Sequence, residues 1–283
     1  MMKAIDIHVH VQPLEMMKPE CRALMRSRPE ELATVMELAA DARRFVELMD
    51  KEGIERVGII NYVAPVVMGF TEEVNPWAAN YARDFRDRLI PFGSVDPTTV
   101  KNAAATMGRI LNEWKLPAIK LHPPHQLFYP NQYRSGLKSL ETVYSLAEEA
   151  RLPVMIHTGT SIFPGARNVY ADPIYTDDIG VDFPNLPVIL AHGGRPLWTE
   201  AAAFVVRRHR NFWMDISGIP PQNLLKYFPR LEQLADKVLW GSDWPGPGVP
   251  GMGSNLEKFC QLPLSAEAKQ KILYDNAARL FPR

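Results

Sequence analysis

Short apolar runs alternate with amphipathic segments along this 283-residue chain, and that alternation restricts the fold more than any other feature. The runs predict strands near residues 3–9, 54–61, 89–95, 117–122, 153–157, 187–192, 211–216 and 237–242. Helices are expected at about 41–52, 76–88, 98–115, 139–151, 196–209, 222–235 and 265–280, with a shorter, irregular segment around 173–183. A strand–helix unit repeated in this way closes into a parallel (β/α)8 barrel, for which about 250 residues is a usual length. The competing fold, an open doubly wound sheet, normally announces itself by a glycine-rich first βα turn. No such turn is present. Several strands open after similar turns, RLIPFGSV, KLPAIKLH, RLPVMIHT and NLPVILAH. Proline at a strand start forfeits no ladder hydrogen bond and ends the preceding helix.

Two stretches depart from the alternation. Residues 11–40 are too long for an ordinary βα loop and follow the first strand, so they emerge on the face where barrel active sites form. They are read as a partial helical lid inserted into one domain spanning 1–283. Residues 244–262 follow the eighth strand, are rich in Gly and Pro, and read as irregular.

Lys plus Arg and Asp plus Glu both number 32, so no basic surplus favours nucleic acid or a membrane surface. No apolar run approaches the roughly 18 residues that span a bilayer. The N-terminal MMKAIDIHV lacks the apolar core of a signal peptide. Cys21 and Cys260 lie far apart and outside any C-x-x-C, so neither a disulfide framework nor a thiolate zinc site is implied. The economical reading is a reduced, cytoplasmic protein acting on a small molecule. The oligomeric state stays open, with a homodimer allowed.

Polar residues mark the strand ends. Read with period two, Asp6, His8 and His10 lie on one face of the first strand, and Ile5, Ile7 and Val9 on the other. Two imidazoles two residues apart suit a transition-metal ion, although a buried hydrogen-bonded pair has the same spacing. Lys120 and His122 end the fourth strand, His157 the fifth, His192 the sixth and Asp243 the eighth. In a parallel barrel these ends meet around one mouth. His209, in RRHRN, reads instead as a surface residue at a helix end.

The motifs IDIHVH, IKLHPPHQLFYP, IHTGT, AHGG and GSDWP, with the ending KILYDNAARLF, resemble the amidohydrolase superfamily. The similarity is to the amidohydrolase-related group that includes aminocarboxymuconate-semialdehyde decarboxylase. The resemblance implies a distorted (β/α)8 TIM barrel. It implies that His8, His10, His157 and Asp243 bind one divalent metal ion, most often zinc. It also implies that His192 is the catalytic histidine, with Asp243 both ligating and shuttling protons. Three imidazoles and a carboxylate hold zinc while leaving room for water or a substrate oxygen.

Lys120 stands where binuclear relatives carry a carboxylated, metal-bridging lysine. A bare ammonium beside a divalent cation is unfavourable. Lys120 is therefore read as carboxylated, as pointing into the barrel towards Asp6, or as binding substrate. His122 and His125 shape the rim or contact substrate. Arg195, in HGGRPLW, is placed to clamp a carboxylate, and Trp244 is a further substrate-binding candidate. DNAARLF reads as helix packing that closes the barrel.

These readings favour a metal-dependent hydrolase of a lactone, ester or amide using a metal-activated water. The alternative is a non-oxidative decarboxylase of an aromatic or dienoic acid. Fold and metal ligands do not choose between these reactions.

Overall fold

The computed structural model describes residues 3–25, 29–246 and 248–283. Eight strands form one parallel sheet in chain order: β1 (Ala4–Val9), β2 (Ile54–Ile59), β3 (Leu89–Gly93), β4 (Ala118–Leu121), β5 (Val154–His157), β6 (Val188–Ala191), β7 (Phe212–Asp215) and β8 (Val238–Leu239). Backbone hydrogen bonds from Ile7 N to Trp240 O, Asp243 N to His8 O and His10 N to Trp244 O join the chain after β8 to β1. The barrel closes through these bonds. Among the described residues, no helix is long and apolar enough to cross a membrane.

Pro117, Pro153 and Pro187 each precede a strand, as the turn sequences predict. The carbonyls of Pro153 and Pro187 accept from Ile119 and Val154 on the neighbouring strands. Pro91 differs, because it lies within β3 and pairs with Ile59.

The first strand does not keep a strict period of two. Its register with β2 shifts between Asp6 and Val9. Ile5 and Ile7 pack with Ile90, Phe92, Met155, Ile189 and Leu239 in one buried cluster, whereas Val9 belongs to the other cluster, packed against helices. The expected shared face of Ile5, Ile7 and Val9 is therefore split. An irregularity of this kind bends a strand and reorients the side chains that follow it. Here aliphatic side chains fill the barrel, and His8 and His10 follow at its mouth. Gly58 of β2 allows the close approach this requires, since a Cβ there would lie 2.3 Å from the Ile7 carbonyl oxygen. At the other end Ala277 and Phe281 join the inner cluster, so the C-terminal helical segment caps the barrel.

Several elements depart from expectation. The helix expected at 222–235 breaks into Pro221–Asn223, Leu224–Tyr227 and Glu232–Lys237. Pro229 lies between the last two and has no N–H to continue a helix. Within the expected irregular stretch 244–262, Met252–Cys260 forms a helix. His209 is 8% exposed, and its Nε2 lies 2.7 Å from Asp177. It is a packed structural histidine, seated where Gly180 offers no Cβ. Tertiary packing overrides the polar look of RRHRN.

Residues 11–40 contain a turn at Leu14–Met16 and helices at Pro19–Met25 and Pro29–Ala40. Residues 26–28 of this segment, and Pro247 of the second irregular stretch, lie outside the described residues. Met17, Leu24, Leu32 and Val35 line a cavity of about 450 Å³ at the strand C-termini.

The register irregularity makes a prediction about stability. Gly58→Ala forces an overpacked backbone contact and should lower unfolding free energy by about 1–3 kcal/mol. Gly108→Ala, in a helix with nothing within 4 Å of the added carbon, should be neutral or stabilising by up to about 1 kcal/mol. Urea denaturation of both variants checks the pair. Equal stability of Gly58→Ala and the parent would refute the packing argument.

Candidate metal centre and active site

Three strand ends converge at the cavity floor. His8 Nε2 lies 3.2 Å from His10 Nε2, and Asp243 Oδ1 lies 3.6 Å from the first and 3.3 Å from the second. His8 Nδ1 lies 2.6 Å from Asp215 Oδ2. A carboxylate accepts there, so His8 keeps its proton on Nδ1 and presents the Nε2 lone pair to the cavity. Asp215 also accepts from Ser217 Oγ at 2.9 Å and Ser217 N at 2.8 Å. His192 Nδ1 lies 3.1 Å from the Ser217 carbonyl oxygen. A carbonyl only accepts, so this contact places the His192 proton on Nδ1 and leaves Nε2 as a lone pair.

Backbone shape brings two of these side chains inward. His192 and Asp243 have φ of 65° and 68°, the left-handed region that non-glycine residues seldom occupy. Gly193 and Gly194 continue the turn after His192 with φ of 52° and 72°. Thr158 splints that turn, donating to Ala191 O and accepting from Gly194 N. Gly218 leaves space for the Arg195–Asp243 ion pair, because a Cβ there would lie 2.4 Å from Arg195 Nη2 and 2.6 Å from Asp243 Oδ2.

His157 is 6% exposed, and its Nε2 is buried with no hydrogen-bond partner. Its ring lies 4.7 Å from that of His192 and 3.8 Å from that of His122, which stacks in turn on His125 at 3.6 Å. His157 lies outside the tight cluster of His8, His10 and Asp243 but lines the same cavity, and its orphaned imidazole nitrogen is costly without an electrophile. A divalent ion supplies one. The residues present therefore fit a metal ion, with His8, His10 and Asp243 offering ligand atoms within 4.8 Å of one another. His8, His192 and Asp215 also meet that spacing, but their hydrogen bonds fit an orienting network.

Electrostatics agree with neutral imidazoles. Burial, reinforced by the Lys120 charge, holds His8 well below the ordinary histidine range. Burial likewise lowers His157 and His192, aided by the Lys120 charge at the first and the Arg195 charge at the second. Burial pushes His125 down to about 3. Burial also opposes ionisation of Asp243, yet its hydrogen bond with His10 and the Arg195 charge hold its carboxyl well below the usual carboxylate range. Lys120 is fully buried, and its Nζ lies 3.6 Å from Met155 Sδ. Burial draws the lysine down and the Asp215 carboxyl up, and the opposite charges partly offset both shifts.

Lys120, His122 and Arg195 all line the cavity. Arg195 is not free, since its Nη2 donates to Asp243 Oδ2 at 3.2 Å. Trp244 lies elsewhere than expected. It is 5% exposed in the hydrophobic core and is absent from the cavity lining, while its backbone bonds to β1. The segment after β8 that supplies Asp243 carries Trp244 past the mouth and places its side chain in the core. Asp215 escapes the sequence reading, although an apolar run ending in Asp is the same signal that marks Asp243.

A family model described as Amidohydrolase matches residues 5–283. The chain is 29% identical over 146 residues to a 2-pyrone-4,6-dicarboxylate hydrolase of Comamonas testosteroni, covering 40% of this chain and 47% of that protein. It is 36% identical over 72 residues to a 4-sulfomuconolactone hydrolase of Rhizobium radiobacter, covering 23% and 24% of the two. The matches thus span about half and a quarter of those relatives. An uncharacterised TIM-barrel protein of Bordetella bronchiseptica superposes with a TM-score of 0.76 at 24% identity, over 98% of both chains. The 5-carboxyvanillate decarboxylase of Sphingomonas paucimobilis does so at 0.69 and 18%, over 99% of this chain and 98% of that one. With the family model matched over almost its whole length, this barrel belongs to the amidohydrolase family.

Proposed function

We propose that the chain is a metal-dependent hydrolase of a small lactone, ester or amide. In this reading His8, His10, His157 and Asp243 hold one divalent ion, and the N-rich ligand set favours zinc. The observation that carries it is the convergence of His8, His10 and Asp243 ligand atoms, with the orphaned, buried His157 Nε2 in the wall of the same cavity. When bound, such an ion polarises a carbonyl oxygen and acidifies water to a pKa near 7.

The chain's own residues do the rest. Asp215 fixes His8 with its lone pair towards the cavity. Ser217 holds His192 so that its Nε2 accepts a proton from the attacking water. The same nitrogen returns that proton to the leaving oxygen or nitrogen as the carbonyl–heteroatom bond breaks. Arg195 holds Asp243 in place. Met17, Leu24, Leu32 and Val35 exclude water from the outer cavity.

The match to two relatives named as hydrolases supports hydrolysis. The carboxy-lyase reading gives Arg195 the role of carboxylate clamp, and Arg195 is already paired with Asp243. Assaying zinc-loaded protein with dihydrocoumarin, 4-nitrophenyl acetate and hydroxybenzoic acids, scored for acid release and CO2, separates the two. CO2 release without ester or lactone cleavage would overturn the hydrolase.

Metal content and rate test the roles. Purified protein should carry about one divalent ion per chain. His157→Ala should lose most of it by elemental analysis, and full occupancy in that variant removes His157 from the ligand set. Asp215→Ala, which frees His8 Nδ1, should weaken metal affinity about 10–100-fold in a competition titration. His192→Asn tolerates the left-handed backbone and should keep both fold and metal while turnover falls about 10²–10⁴-fold. Loss of metal with activity would make His192 a ligand, and unchanged turnover would make it structural.

A further inference from the structure

Ser161 lies on the loop after β5 and lines the cavity. Its Oγ is 2.7 Å from His125 Nε2, and His125 Nδ1 is 3.1 Å from the Tyr62 hydroxyl. The Phe163 N–H also donates to Ser161 Oγ, at 3.3 Å. Tyr62 and His125 are 3% and 1% exposed, so bulk water does not satisfy them. Their hydrogen-bond partners are neutral groups, and a neutral imidazole carries one N–H.

Two proton arrangements are available. In the first, Tyr62 donates to Nδ1, His125 Nε2–H donates to Ser161, and Ser161 keeps its proton for the cavity. In the second, Nδ1–H donates to Tyr62 and Ser161 donates to Nε2. The second strands a buried phenol proton, because His125 is the hydroxyl's hydrogen-bond partner among the described residues. An unmade bond of a buried donor favours the first arrangement by roughly tenfold or more. Ser161 Oγ then accepts twice and retains one donor, so it is set to bind an acceptor oxygen and not to attack a carbon.

The charges around it select the acceptor. Among the described residues, Asp243 is the carboxylate that lines the cavity, and it is already engaged by Arg195 and the imidazoles, while Lys120 lines the same cavity. An anion therefore enters without meeting an unpaired carboxylate. We infer that Ser161, oriented by Tyr62 and His125, forms a subsite for a carboxylate that the substrate carries away from its reacting carbonyl. This inference rests on the reading of the cavity as a carbonyl-compound site.

Two measurements on the zinc-loaded full chain test it, and neither requires turnover. In a ¹⁵N-histidine NMR spectrum assigned through backbone connectivity, His125 should be the Nε2–H tautomer, and an Nδ1–H tautomer overturns the orientation. In equilibrium titrations, one of the diacids from succinate to adipate should bind more tightly than the matched monoacids from butyrate to hexanoate. Ser161→Ala should weaken the best diacid about tenfold, the worth of a hydrogen bond to a charged acceptor, and leave the monoacid unchanged. Tyr62→Phe keeps the Ser161 hydroxyl and should weaken the same diacid in the same direction. Equal loss for diacid and monoacid, or no diacid preference in the parent, overturns the subsite. Absent hydrolysis with the diacid preference intact would instead overturn the hydrolase reading alone.

Discussion

The hydrogen bond from His8 Nδ1 to Asp215 is the contact on which the rest of the floor depends. It links β1 to β7, distant in sequence, and places a proton on the side of the imidazole that faces away from the cavity. Asp215 in turn receives Ser217, and Ser217 holds His192. One buried carboxylate thereby orients two imidazoles with their lone pairs inward. Desolvating such a carboxylate is costly, and the donors around it and the nearby Lys120 charge offset that cost in part, leaving the carboxyl raised to about 7.

The barrel walls make this arrangement possible at a specific height. Below the register shift of β1, aliphatic side chains fill the interior, and above it the chain turns to polar groups. Left-handed backbone at His192 and Asp243 then steers two more side chains over the floor. Local strain of this kind persists when surrounding contacts fix it. Thr158, Gly194 and the bonds closing the barrel onto β1 supply those contacts here.

Much of the barrel was legible in the sequence because each strand is an apolar run with a polar end. That pattern points His8, His157, His192 and Asp243 to one mouth. It did not locate Asp215, which carries the same signal without a repeated motif around it. Period two also misplaced Val9, because a register shift depends on the neighbouring strand and on Gly58. Trp244 read as a rim residue from its place after Asp243, yet the closing bonds to β1 turn that segment into the core. His209 read as exposed because its partner Asp177 is remote in sequence. Long-range partners, not local propensity, decided each of these cases.

The cavity's outer wall is drawn from different parts of the chain than its floor. The floor comes from strand ends tied together by the closing sheet, whereas Met17, Leu24, Leu32 and Val35 come from the inserted segment and Ser161 from a separate loop. Changes in that insertion leave the hydrogen bonds between strands untouched. The two connections that line the cavity can therefore be rewritten to reshape what the mouth admits while the strand-borne floor keeps its bonds.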